Sequence, residues 1–340
     1  MAKLAEDRMP GYLTHEERAL IRGRRVGLDE VASLRAWYPV VALDDGLCWR
    51  YFGDRRFTEP FFHDTLTSLG EPERLCLQTD YDALEGLADT LAPTAFFFHA
   101  SRCGSTLLCQ LLAKLPGCVV MSEPPALDSF LRRYYTNPDM PDAEQKLRAI
   151  VAALGQKRFA EDRHFFVKLH SWHIGSLPLF RRAFPDTSFL FLYRQADEVM
   201  ASHRRQRGPH MVPGLVDGAM PPSFVIPPVP AHDLEGYCAK VLEYFYGTAL
   251  AHADELICVD YRQLPNLVWD ELLDIFSIAT TPEQLEAMRS RAGFHSKSRG
   301  AFTGDPDTKS AQNEVEMEAL ERYYEQLNAL RFGGNTSDAQ

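Results

Sequence analysis

The chain has 340 residues, 45% hydrophobic and 24% charged, which suits a globular protein built as one large α/β domain with an appendage. A formal net charge of −11 argues against nucleic acid as a partner, and seven cysteines without C-x-x-C pairs argue against a disulfide framework or a zinc site. No apolar stretch follows MAKLAEDRMP, so neither a secretory signal nor a membrane anchor is expected and the chain reads as cytoplasmic.

Residues 14–23 read as a helix opened by a capping box of Thr14 and Glu17. From about Ala36 to Leu77 the chain is rich in aromatic and turn residues, expected as short strands and loops packed on the main domain, with Asp54, Arg55 and Arg56 in a surface turn. TDYDALEGLADTLAP reads as a capped helix ending at Pro93. Strand and helix then alternate over 94–100, 104–115, 117–121, 141–155, 164–168, 175–184, 188–194 and 195–207. Such alternation predicts a parallel sheet flanked by helices, with ligands at the carboxyl ends of the strands. Residues 208–230 hold seven prolines and no helical period, yet carry Met211, Val212, Leu215, Met220, Phe224, Val225 and Ile226, so they read as an apolar lid over a substrate, with a disordered excursion as the alternative. A helix near 231–253, a strand at 255–259 and helices near 266–277, 281–291 and 313–330 follow. The expected organisation is an appended segment over 1–92, an α/β domain over 93–332 and a disordered tail over 333–340.

The stretch TAFFFHASRCGSTLLCQLLAKLPGCVVMSEP, residues 94–124, is the most informative. Ala95–Phe98 is apolar without alternation, as in a strand covered on both faces. The polar loop Ser101, Arg102, Cys103, Gly104, Ser105 and Thr106 then opens a helix whose leucines repeat at helical spacing. A helix start presents unpaired N–H groups and partial positive charge, Gly104 allows close backbone approach, and Arg102, Ser105 and Thr106 add donors. This is an anion cradle, but without the lysine of the nucleotide triphosphatase loop; Ser105 stands in the lysine's place and the positive charge has moved to Arg102.

The pattern R-x-G-S/T-T-L-L resembles the loop by which sulfotransferases hold the 5′-phosphosulfate of PAPS (3′-phosphoadenosine 5′-phosphosulfate). It is most similar to the tyrosylprotein and bacterial trehalose-type enzymes, with Cys103 in place of a serine. The resemblance implies a three-layer P-loop-type parallel α/β fold and binding of PAPS, with PAP (adenosine 3′,5′-bisphosphate) as product. It also assigns residues. Arg194, ending the apolar strand SFLFLY, and Ser202, eight residues on in the next helix, would bind the 3′-phosphate. Arg204, Arg205 and Arg207 read better as an exposed basic face. Glu123 would deprotonate the acceptor and Lys168 would face the sulfuryl group. His170, in a K-x-H arrangement like that of the cytosolic sulfotransferases, ranks second as base. Tyr261 would lie near the nucleotide, and Ser298, Arg299 and Gly300 in a loop closing over it.

The function implied is sulfuryl transfer to a hydroxyl, less readily an amine, of a small-molecule, lipid or peptide acceptor. No metal is required, since the sulfuryl group carries less charge than a phosphoryl one. A small-molecule kinase remains the alternative, with Asp260 ending a strand and Thr106 available to magnesium; a non-catalytic nucleotide-binding protein is the third reading.

Overall fold

Runs of aromatic and aliphatic residues give the chain two sheets. In the computed structural model, which describes residues 13–70, 74–87, 89–230, 232–293 and 314–333, the first sheet comprises β1 (Arg24–Arg25), β2 (Trp37–Ala42), β3 (Gly46–Tyr51) and β4 (Leu75–Asp80) in the order β1-β4-β3-β2. The second comprises β5 (Ala95–His99), β6 (Cys118–Ser122), β7 (His164–Lys168), β8 (Ser188–Tyr193) and β9 (Ile257–Asp260), all parallel, in the order β6-β7-β5-β8-β9. This is the parallel α/β sheet expected from the sequence.

The helices are α1 (His15–Leu20), α2 (Phe62–Thr67), α3 (Ser105–Leu112), α4 (Pro125–Thr136), α5 (Ala143–Leu154), α6 (Leu177–Ala183), α7 (Ala196–Arg205), α8 (Leu234–Ala251), α9 (Leu273–Ile275), α10 (Pro282–Ala292) and α11 (Glu314–Ala329). Thr14 and Glu17 form the expected capping box on α1. The parallel sheet separates two apolar layers: Ala95 and Phe97 face Leu108, Leu111 and Leu112 of α3, while Phe96 and Phe98 join a larger core with helices α4 to α8 and α11. Both faces are covered, which is why these strands show no polar alternation. The chain leaves β5 for β6 on one side and later crosses β5 to reach β8 on the other. A crevice forms at the carboxyl ends of strands around such a reversal.

The first sheet shares the larger core. Ala42 N donates to Ser129 Oγ at 2.7 Å, and Gln156 accepts from Ala36 N at 2.9 Å. Gln156 Nε2 also donates to the carbonyls of Trp37 and Ala153. Arg158, buried, reaches the carbonyls of Gly53 and Arg55 and lies over the ring of Tyr38.

Three expectations fail locally. The expected helix over 79–93 does not form among the described residues: Thr79 and Asp80 extend β4 against Leu47 and Gly46, and Asp80 turns the chain by accepting from Ala83 N. Only the 3-10 helix Asp82–Gly86 results. Helix α4 was not expected, although Leu127, Phe130, Leu131 and Tyr134 have helical spacing. The single helix near 266–277 is a π-helical turn, Val268–Leu272, running into the short α9. Residues 208–230 contain only the 3-10 turns Pro209–Met211 and Asp217–Ala219; Met211, Ala219 and Met220 are buried, whereas Leu215 and Val225 are exposed. Of the expected tail only Gly333 lies within the described residues. Among those residues no helix is long and apolar enough to cross a membrane.

Gln156 is a buried polar pin between the first sheet and the end of α5. Gln156→Leu leaves Ala36 N–H and Trp37 C=O without partners, and should lower unfolding free energy by about 2–4 kcal/mol. Urea denaturation measures this, with an unchanged m-value separating it from a change in compactness.

Candidate active site

The loop after β5 is strained in a way that suits an anion. Ser101 (φ 67°), Arg102 (φ 51°) and Gly104 (φ 82°) adopt left-handed conformations around Cys103. Such runs turn backbone N–H groups inward as an anion nest, here at the N-terminus of α3, and the two non-glycine residues carry strain of a kind found at functional sites. Gly104 cannot be replaced: a Cβ there would lie 2.7 Å from the Tyr261 ring and 2.9 Å from Leu264. Cys103 points the other way, into the apolar layer beside α3, and burial pushes its thiol up to about 11. Replacing serine by cysteine there thus suits the core. Arg102 Nη2 donates to Gln206 O at 2.6 Å.

Parallel pairing of β6 with β7 sets Ser122 beside Lys168 and brings Glu123 N to 2.8 Å from Lys168 O. Glu123 is itself left-handed (φ 57°), which returns its side chain toward the strand ends. Lys168 Nζ donates to Glu123 Oε1 at 2.6 Å and to Thr106 Oγ1 at 3.3 Å. His170 Nδ1 lies 3.1 Å from Glu123 Oε2, and its ring stacks on Trp172 at 4.3 Å. Burial favours a neutral Glu123, but Lys168 and His170 outweigh it and hold the carboxyl well below the usual range. Burial would lower His170, yet the Glu123 charge and hydrogen bond raise it above an ordinary imidazole.

Several contributors were not legible as site residues. His99 accepts from Ser101 N through Nδ1 and so donates from Nε2 to Leu169 O, at 3.0 Å each; burial lowers it to about 4 and keeps it neutral. Its Nε2 lies 3.7 Å from Glu123 Oε1. Asp128 on α4 accepts from Trp172 Nε1 at 3.2 Å and His173 Nε2 at 3.0 Å, fixing the rings beside His170. His203 accepts from Gly208 N and meets Ser101 Oγ at 3.2 Å, tying the end of α7 to the loop. The one available signal was the number of histidines: His99 ends β5, His170 and His173 follow β7, His203 lies on α7 and His210 in the turn beyond it.

Arg194 directly follows β8, with its guanidinium 4.2 Å from the Tyr261 ring centre. Tyr261 therefore touches both the Gly104 position and Arg194, joining the loop to the expected nucleotide side. Arg194 Nε donates to Glu198 Oε2 at 2.8 Å. Ser202 lies a further turn along α7, so a carboxylate stands between the two expected phosphate ligands. Arg204 and Arg207 pair with Glu235 of α8. The expected contributors Ser298, Arg299 and Gly300 lie outside the described residues.

The arrangement is a backbone geometry able to cradle an anion at the end of β5, linked by the Lys168 ammonium to a carboxylate–imidazole pair. The chain is similar to solved sulfotransferases. These include the sulfotransferase domain of an olefin synthase from Synechococcus PCC 7002, at 16% identity and TM-score 0.41, covering 70% of this chain and 96% of that one. They also include sulfotransferase STF9 from Mycobacterium avium, at 13% identity and TM-score 0.47, covering 71% and 77%. A third is sulfotransferase STF1 from Mycobacterium tuberculosis H37Rv, at 14% and 0.40, covering 73% and 79%. No protein-family model and no curated protein matches the chain.

Glu123 is the main cause of the raised His170 pKa, with Asp128 adding to it, so in Glu123→Gln the imidazole should titrate lower than in the unmutated protein. A raised imidazole pKa stabilises the fold fully below the unfolded value and ceases to do so as pH rises through the folded one. The His170 share of the stability difference between the two proteins should therefore be fully present below about pH 6.5 and shrink as pH rises above it. NMR titration of the ring protons and denaturation at each pH measure both effects.

Proposed function

We propose that this chain is a sulfotransferase that moves the sulfuryl group of PAPS to a hydroxyl, or less readily an amine, of a small-molecule, lipid or peptide acceptor. The observation that carries this reading is the position of Lys168 Nζ, 3.3 Å from Thr106 Oγ1 at the anion loop and 2.6 Å from Glu123 Oε1. One cation thus links the donor cradle to the proton-accepting pair. Transfer of an anionic group requires positive charge at the bridging and terminal oxygens and removal of the acceptor proton, and positioning plus electrostatics supply most of the rate.

In this reading the N–H groups of residues 101–106 and the Arg102 side chain hold the 5′-phosphosulfate. Lys168 offsets charge on the sulfuryl and leaving oxygens. The geometry favours His170 over Glu123 as the group that meets the acceptor hydroxyl. Both Glu123 oxygens already face Lys168 or His170, whereas His170 Nε2 has no hydrogen-bond partner among the described residues. Glu123 then orients His170 and stabilises the imidazolium, as the third member of a triad does. At Arg194 the 3′-phosphate replaces Glu198, whose side chain is 41% exposed and free to turn to solvent.

The kinase alternative is less well supported. Of the strands flanking β5, β7 ends in the cation Lys168 and β8 is followed by Arg194, and Thr106 faces an ammonium where a metal ion would have to sit. Asp260 is wholly buried and engaged by Arg262 and by Tyr324 OH at 2.6 Å.

Calorimetry with PAP, 5′-AMP and ATP–Mg²⁺ tests the reading. PAP should bind most tightly, EDTA should have no effect, and Arg194→Ala should remove most of the PAP preference over AMP, about 1.5–3 kcal/mol. Equal affinity for PAP and AMP would sink the 3′-phosphate assignment. Against a surrogate acceptor, His170→Ala should lower kcat by about 10²–10⁴-fold with PAP affinity retained. Near-normal kcat in that variant, with Glu123→Gln inactive, would return the role of base to Glu123.

A further inference from the structure

Lys168 is the most confined charge of the site, with its side chain only 2% exposed. Its ammonium has three N–H donors, of which Glu123 Oε1 and Thr106 Oγ1 take two. A further neighbour among the described residues is aromatic and comes from the N-terminal part of the chain: the Phe61 ring centre lies 4.8 Å from Nζ. A ring face at this range attracts a cation, and more strongly when water is excluded.

The placement of Phe61 is well braced. Phe62, next in the chain, is buried and stacks on Phe57 at 5.4 Å, with Phe52 against both rings. Thr58 O accepts from Gln110 Nε2 of α3 at 3.0 Å, fixing the segment to the helix that carries the anion loop. Arg158 holds the carbonyls of Gly53 and Arg55. Phe61 is thus positioned against both α3 and the end of β7.

We infer that Phe61 is the positioning residue of Lys168, its ring holding the ammonium at the anion loop while Glu123 yields it to the sulfuryl group. The inference rests on the sulfuryl-transfer reading. The chemistry favours a neutral partner: a second carboxylate would compete with the sulfuryl oxygens for the same N–H groups, whereas a ring face attracts the cation without occupying a donor. The N-terminal sheet then contributes to the donor side of the active site.

The test compares PAPS with PAP, which differ by the sulfuryl group. Calorimetric Kd values are measured for the unmutated protein, Phe61→Leu and Phe61→Tyr. Phe61→Leu should reduce the preference for PAPS over PAP by about 5- to 30-fold, and Phe61→Tyr should restore most of it. Equal weakening of both ligands, or an unchanged preference, would overturn the inference. Acylation of Lys168, followed by peptide mass spectrometry, gives a readout independent of ligand. Labelling should be slow in the unmutated protein and in Phe61→Tyr and at least several-fold faster in Phe61→Leu; equal rates in all three would also overturn it. Equal affinity of the unmutated protein for PAPS and PAP would instead count against the Lys168–sulfuryl contact, while the labelling still decides the role of Phe61.

Discussion

Lys168 and Glu123 form an ion pair at 2.6 Å in a place where water barely reaches, and the rest of the site is arranged around that fact. Two charges removed from water cost several kcal/mol each, and their attraction offsets this only when further contacts satisfy both. Here Thr106 and the Phe61 ring supplement the ammonium, while His170 and His99 attend the carboxylate. Well-packed apolar residues would stabilise the fold as well or better, so the pair adds little to stability. Its consequence is electrostatic: the same cation that lowers the Glu123 pKa sits at the mouth of the anion loop.

The parallel sheet makes the pair possible. With β6 beside β7 in register, residues just past the two strand ends become neighbours despite wide separation in sequence. The left-handed conformations of Ser101, Arg102, Gly104 and Glu123 then turn backbone and side chains into the crevice. Tyr261 braces this from the far side, filling the space that a Cβ on Gly104 would need and lying against Arg194. Strain at the three non-glycine residues is retained because packed neighbours on several elements fix them.

The N-terminal sheet gains its meaning from the same geometry. It is joined to the parallel domain through a shared core and through Ser129, Gln156 and Arg158, and the segment between β3 and α2 runs along α3 to the end of β7. Asp128 sets Trp172 and His173, and through them the ring of His170.

Much of this was legible in the sequence. The unalternating strands 95–99 and 188–193 carry their double-sided burial in their composition, and Gly104 within a polar loop before a leucine-patterned helix marks a cradle, because these are local rules of spacing and backbone freedom. Arg194, Glu123 and Lys168 could be named because each ends a strand or follows one. What the sequence could not carry was pairing. That Lys168 meets Thr106, that Glu198 rather than Ser202 faces Arg194 Nε, that Cys103 turns inward and that Phe61 covers Lys168 all depend on which strands become neighbours and how the first sheet docks. Hydrophobic period and turn chemistry act over a few residues, so they determine the elements. Contacts between residues 61, 106, 123 and 168 exist only once burial of the shared core has brought distant segments together, so only the tertiary structure decides them.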